Sequence, residues 1–131
     1  MVSRNTLAGL WTFDTTTDRG PHDAELRTAD AGWLTEAYAD RLRARRPQPV
    51  TDAQWQQWIG QRAHTTVAVK KSEDAARPPD TDTEAWRQWT VTVTPSGRDG
   101  WKGEPVVVTA YVHLTRTAVG TSWWVADVTV R

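Results

Sequence analysis

The chain has 131 residues with 16 basic and 16 acidic side chains, so its formal charge is zero, and 38% of its residues are hydrophobic. This length and composition predict one soluble domain with one core, residues 1–131, and argue against global disorder. The balanced charge gives no indication of direct nucleic-acid binding, and the absence of cysteine excludes disulfides, thiolate metal sites and a cysteine nucleophile.

Membrane attachment is judged from the apolar runs of the sequence and from its first residues. No apolar run approaches the roughly 20 residues that a spanning helix needs, and no basic region followed by a hydrophobic segment opens the chain. A helical pattern begins almost at once, at Leu7. Such an abrupt start suits a domain excised from behind an N-terminal membrane anchor.

Four short helices are predicted within about residues 5–60, from apolar residues three and four positions apart and from capping residues. The first covers residues 5–13, and the second covers residues 23–31 after Gly20 and Pro21. The third follows Thr35 and is closed by Pro47 and Pro49. The fourth contains Trp55 and Trp58, most simply read as core residues, and stops at Gly60. The predicted N-caps are Asn5 or Thr6, Thr35, and Thr51 or Asp52.

From residue 63 the spacing of apolar residues changes from about 3.6 to 2, which indicates strands. They are predicted over residues 63–71, 86–94, 105–117 and 122–131. Short connections make the last three an antiparallel meander, and helices followed by a sheet are typical of the α+β class.

Two faces of the sheet can be told apart from the last two strands. The face expected under the helices carries Val106, Val108, Ala110, Val112 and Leu114, then Trp124, Ala126, Val128 and Val130. The face expected to be exposed or to meet a partner carries Val107, Thr109, Tyr111, His113 and Thr115, then Trp123, Val125, Asp127, Thr129 and Arg131. A slip of one residue would exchange these faces.

Catalytic, metal and cofactor sites are not predicted. Tyr111, His113 and Asp127 could be neighbours, but on the outward face, where burial cannot tune them for catalysis. His22 and His64 lie far apart without ligand spacing, and no phosphate-binding glycine loop is present. Four arginines near the end of the third helix could form a phosphate or lipid-headgroup patch, but most simply complement the helix dipole and stay solvated: Arg41, Arg43, Arg45 and Arg46.

Several segments together resemble a known family. They are residues 23–27 (DAELR), 33–38 (WLTEAY), Trp55, residues 109–116 (TAYVHLTR) and residues 124–128 (WVADV). The pattern resembles the nuclear-transport-factor-2-like domain of proteins encoded with actinobacterial conjugative elements. Those are similar to TcpC-type conjugation proteins and to inner-membrane assembly factors of type IV secretion systems.

The resemblance implies a fold in which N-terminal helices pack on a curved four-stranded antiparallel sheet, a cone. It implies a non-catalytic scaffold of a Gram-positive DNA-transfer apparatus, anchored on the extracytoplasmic side of the cell membrane, which contacts other membrane components and itself. The residues expected at the interface are Val107, Tyr111, His113, Trp123, Val125 and Asp127.

Two alternatives remain open. The first is a pocket enzyme or small-ligand binder of the same fold, with Tyr38, Trp55, Trp58 or Trp89 as apolar walls, although the strands place no carboxylate or histidine inward. The second is an accessory protein of a lipid importer.

Overall fold

A computed structural model describes residues 2–47, 52–72 and 76–131. Within these segments four α-helices precede one four-stranded antiparallel sheet, which is the predicted α+β class. The elements are α1 (Val2–Trp11), α2 (Pro21–Asp30), α3 (Glu36–Ala44), α4 (Ala53–Gly60), β1 (His64–Ser72), β2 (Glu84–Ser96), β3 (Val106–Thr115) and β4 (Trp124–Val130). None of the helices in the described segments combines the length and apolarity that crossing a membrane requires.

The capping residues explain where three of the helices begin. Pro21 occupies the first turn of α2, where its missing N–H costs nothing. The Thr35 hydroxyl accepts a hydrogen bond from the Tyr38 N–H, and the Asp52 carboxylate accepts one from the Trp55 N–H, as predicted. The caps predicted for the first helix, Asn5 or Thr6, are wrong, because α1 already starts at Val2 and buries Thr6 within it. Thr51 and Pro49 lie outside the described residues.

The sheet has the strand order β1-β2-β3-β4, with every neighbouring pair antiparallel, so the predicted meander is confirmed. One side of this sheet, here called the inner face, packs against α1 and, along β4, against α3, while α2 packs on these two helices. The main core between them contains Leu7, Ala29, Leu34, Tyr38, Ala39, Leu42, Ala85, Trp89, Val91, Val93, Ala110, Val112, Leu114 and Val125.

A smaller aromatic cluster holds α4 beside the start of β1. The Phe13 and Trp55 rings meet edge to face with centroids 5.6 Å apart, and the Trp55 and Trp58 rings are 6.0 Å apart. Ala24 and Ala63 complete the cluster. The prediction that Trp55 and Trp58 are core residues is therefore confirmed.

A β-bulge in β4 changes the faces that the sequence predicts for this strand. His113 is paired with Asp127, but Leu114 is paired with Val125, so Ala126 is an extra residue on β4. C-terminal to the bulge, Asp127 keeps its predicted outward position. N-terminal to it the faces are exchanged, because strand side chains alternate with a period of two. Val125 is 0% exposed and lies in the main core, whereas Trp124 is 40% exposed.

Contacts from the α2–α3 connection and from α3 stabilise the bulge. The Val125 N–H donates to the Trp33 carbonyl at 2.9 Å, and the Thr35 N–H donates to the Val125 carbonyl at 2.8 Å. The Arg41 guanidinium donates to the Ala126 carbonyl at 3.0 Å. β4 is the last strand of the sheet, so these outward backbone groups have no strand partner and are satisfied by residues 33–35 and Arg41 instead.

Candidate interaction face and inner pocket

The sheet side opposite the helices, here called the outer face, carries a mixed set of polar, aromatic and apolar side chains. Alternation along the paired strands assigns to it Trp86, Gln88, Thr90, Thr92 and Thr94 of β2, Val107, Thr109, Tyr111, His113 and Thr115 of β3, and Asp127 and Thr129 of β4. Val107 is 61% exposed. When one face of an antiparallel sheet packs on the core, the other face is in contact with water or with a partner protein.

Four of the six residues predicted at the interface lie on the outer face: Val107, Tyr111, His113 and Asp127. The other two placements, Trp123 and Val125, are wrong. Val125 is turned into the core by the bulge. Trp123 packs against the main core, and the Arg116 guanidinium carbon lies 4.3 Å from the centroid of its ring. Trp124 takes their place as the exposed aromatic residue beside Thr115.

An open cleft of about 510 Å³ lies at one end of the outer face, here called the outer cleft. It is bounded by residues 76–78, Trp86, Tyr111, His113, Asp127 and Arg131. The Trp86 and His113 rings stack with centroids 5.0 Å apart and an interplanar angle of 9°. The Arg131 guanidinium carbon lies 5.2 Å from the centroid of the Tyr111 ring. Flat aromatic and guanidinium surfaces of this kind are enriched in protein interfaces.

A network of charged side chains holds the wall of the outer cleft. Arg87 binds both carboxylate oxygens of Asp80, at 2.8 and 2.7 Å, and Arg77 binds the same carboxylate at 3.0 Å. Both arginines also donate to the Trp86 carbonyl. Hydrogen bonding from Arg87, with the charges of both guanidinium groups, lowers the pKa of Asp80 to about 2. The segment before β2 is therefore fixed by charge-assisted hydrogen bonds.

The arrangement of Tyr111, His113 and Asp127 differs from that of a catalytic triad. His113 and Asp127 are cross-strand partners, but His113 Nε2 lies 3.1 Å from Glu84 Oε1, and Asp127 Oδ1 lies 3.4 Å from Arg41 Nη2. Both residues line the outer cleft, on the side of the sheet away from the helices. Across the described residues no group of three or more acidic or histidine side chains could hold a metal ion.

The arginines near the end of α3 are largely engaged within the domain. Arg41 binds Asp127, Arg43 binds Asp30 and Asp40, and Arg45 binds Glu25. These ion pairs favour the simpler interpretation of the cluster over a phosphate patch.

A second cavity, here called the inner pocket, opens between the helices and β4. Its volume is about 210 Å³, and it is lined by Leu10, Trp11, Phe13, Pro21, Glu25, Tyr38, Arg45, Val128 and Val130. Among the aromatic walls that the sequence suggested, Tyr38 lines this pocket. Trp55 and Trp58 belong to the smaller cluster, and Trp89 belongs to the main core.

The inner pocket has a carboxylate that the sequence analysis did not find. Glu25 Oε2 accepts a hydrogen bond from Arg45 at 2.6 Å, and Glu25 Oε1 lies 3.4 Å from His22 Nδ1. Both His22 and Glu25 are on α2, three residues apart, whereas the strands carry no inward carboxylate or histidine. A spacing of three residues places His22 and Glu25 on the same helix face, and this spacing could have identified the pair from the sequence.

Tyr38 is a further polar residue of the inner pocket, beside Glu25 and Arg45. Burial raises the pKa of its phenol to about 12. The Arg41 guanidinium carbon lies 5.0 Å from the centroid of the Tyr38 ring. No hydrogen bond joins its hydroxyl to another residue of the described segments, and the hydroxyl is not among the buried polar atoms that lack a partner, so it is open to solvent.

Compared with known proteins, the chain matches no family model, no curated protein and no solved structure.

Proposed function

We propose that this chain is a non-catalytic assembly domain that contacts other proteins, including a second copy of itself, through the outer face. The observation that carries the proposal is that this face is not covered by the helices and exposes Val107 and Trp124. Exposed apolar residues among polar ones mark interaction surfaces in soluble domains.

The chemistry of the outer face supports this proposal. The stacked Trp86 and His113 rings and the Tyr111 ring offer rigid flat surfaces that lose little side-chain freedom on binding. Threonines fill much of the rest of the face and provide a polar surround. Tight fixation of the cleft wall by Arg87 and Asp80 means that a partner would meet a surface that is already ordered.

The setting that we propose is a conjugative DNA-transfer apparatus of the type IV secretion kind, on the extracytoplasmic side of the membrane. This part rests on the sequence resemblance. We also propose the finer fold, a nuclear-transport-factor-2-like cone, because helices precede a four-stranded meander and a bulge bends the strand nearest α3.

Analytical ultracentrifugation over a concentration series tests self-association. We expect concentration-dependent dimers or trimers for the unmodified domain, and about tenfold weaker association for Val107→Asp and Trp124→Asp, because each places a charge at the contact. Val119→Asp is the matched control, since Val119 is 67% exposed but lies in the turn between β3 and β4.

The same variants test the setting in cells. In a strain that carries the element, Val107→Asp and Trp124→Asp should lower the transfer frequency while Val119→Asp leaves it unchanged. A domain that stays monomeric at millimolar concentration, or outer-face variants that transfer DNA normally, would contradict the proposal.

A further inference from the structure

We propose that the inner pocket binds an uncharged molecule that consists of one ring and a single hydroxyl or amide group. The site lies on the opposite side of the sheet from the outer face, so it is a function beyond protein assembly. The two proposals stand on different residues and can fail separately.

The size of the inner pocket limits the ligand to about one ring with a short substituent. Its volume is about 210 Å³. An engineered apolar cavity of about 150 Å³ in another protein takes up benzene, so this pocket has space for a ring and a few further atoms.

The walls of the pocket favour an apolar ring. Leu10 and Trp11 of α1, Phe13 beyond it, and Val128 and Val130 of β4 are five of its nine lining residues. Leu10, Trp11 and Val128 also pack against the main core, so these walls are supported from behind. A ring that enters leaves water and gains contact with side chains already in place.

The polar groups of the pocket select a hydrogen-bonding substituent. The Tyr38 hydroxyl has no hydrogen-bonding partner in the described segments, and the phenol stays protonated at neutral pH, so it can donate to a ligand oxygen. Glu25 has two carboxylate oxygens with about four acceptor positions, of which Arg45 and His22 occupy two. A hydroxyl or an amide, which both donates and accepts, satisfies the two groups together.

The charges around the pocket disfavour an ionised ligand. Arg45 already neutralises Glu25 through a contact of 2.6 Å. A ligand carboxylate would face the Glu25 carboxylate, and a ligand ammonium would have to displace the Arg45 guanidinium. A neutral ligand leaves this ion pair in place. The Arg45 side chain is 60% exposed and lines the pocket together with Glu25.

Calorimetric titration with 4-ethylphenol tests the proposal, and ethylbenzene, 4-methylbenzoate and 4-methylbenzylammonium are probes of similar size. We expect 4-ethylphenol to bind about tenfold or more tightly than each of the other three, because only it satisfies the polar groups without a charge. Backbone amide NMR shifts should change at Leu10, Tyr38 and Val128.

The matched variants are Tyr38→Phe and Tyr111→Phe, which remove the same atom from the only two tyrosines of the chain. Tyr38→Phe should weaken 4-ethylphenol binding about tenfold and leave ethylbenzene binding unchanged. It should fold normally, because the hydroxyl makes no hydrogen bond with the described residues that the substitution could break. Tyr111→Phe, on the outer face, should bind as the unmodified domain does.

Three results would overturn the proposal. One is no heat or amide shift with 4-ethylphenol up to its solubility limit. A second is equal binding of 4-ethylphenol and ethylbenzene together with no effect of Tyr38→Phe, which would mean an unselective apolar cavity. The third is tighter binding of either charged probe, or shifts confined to the outer face.

Discussion

Replacing Val125 with threonine tests the β-bulge, because two registers of β4 predict opposite results. In a strand without the bulge, Val125 and Val107 share the outer face, and threonine is tolerated at both. In the bulged strand Val125 is 0% exposed, whereas Val107 is 61% exposed. Threonine keeps the branched shape and the strand preference of valine, so the change isolates the environment of one methyl group.

The expected cost follows from burial of a hydroxyl. Placing a hydroxyl in an apolar site without a hydrogen bond costs about 1–3 kcal/mol, and a solvated strand position changes by less than about 0.5 kcal/mol. If the free energy of unfolding falls by about 2 kcal/mol per molar urea, Val125→Thr should therefore lower the urea midpoint by about 1 M. Val107→Thr should leave the midpoint within about 0.25 M by the same slope.

Val112→Thr provides the positive control, since Val112 is 1% exposed and both registers place it on the inner face. Its midpoint should fall as far as that of Val125→Thr. If Val125→Thr instead behaves like Val107→Thr while Val112→Thr is destabilised, β4 has no bulge, and the original assignment of the faces is correct.

Two further predictions concern the cleft wall and a helix cap. The Asp80 carboxyl should titrate near pH 2 by carbon NMR, and Arg87→Lys should move its pKa toward the ordinary value of 3.8. The pKa of Asp80 is lower in the folded than in the unfolded protein. The stability that the pair contributes is therefore present above about pH 4 and is lost as the pH falls toward 2. An unchanged titration in Arg87→Lys would contradict the proposed cause. Thr35→Ala should destabilise the domain by about 1 kcal/mol in thermal unfolding and Thr35→Ser by much less, since only alanine loses the acceptor for the Tyr38 N–H; equal effects would argue against the cap.

The helices and strands could be predicted because their signals are local. Gly20 and Pro21, Thr35 and Asp52 each mark a helix start through backbone geometry or a hydrogen bond that spans three residues. The change from helical to alternating spacing near residue 63 falls where β1 begins, at His64. α1 was the exception, since its first turn has no capping signal that the pattern could reveal.

The bulge could not be predicted because its determinants are distant in the chain. Ala126 follows a regular alternation, and nothing in residues 122–131 marks it as an extra residue. Its carbonyl is bound by Arg41, and its neighbour Val125 is bound by residues 33–35, about ninety positions earlier. The extra residue exchanges the faces of the few residues just before it, so two of the residues predicted at the interface, Trp123 and Val125, were placed on the wrong face.

The inner pocket escaped prediction for a related reason. Alternation along the strands shows which side chains face inward from the sheet, and those of β4 that reach the pocket are valines. The carboxylate comes from the opposite layer, on α2, and the direction in which a short polar helix presents Glu25 depends on how it packs on α3. The spacing of three residues puts His22 and Glu25 on one helix face, but it does not show that Glu25 lines a pocket together with Tyr38.

Arg41 joins the two candidate sites. Its guanidinium lies over the ring of Tyr38, which lines the inner pocket, and it also binds Asp127, which lines the outer cleft. It contacts both sides because the bulge carbonyl of Ala126 gives it an acceptor at the open edge of β4. A regular strand would direct Trp124 into the core and remove the exposed aromatic residue from the outer face. The bulge in β4 therefore exposes Trp124 on the outer face, and it also provides the carbonyl that binds Arg41, the side chain that contacts residues of both sites.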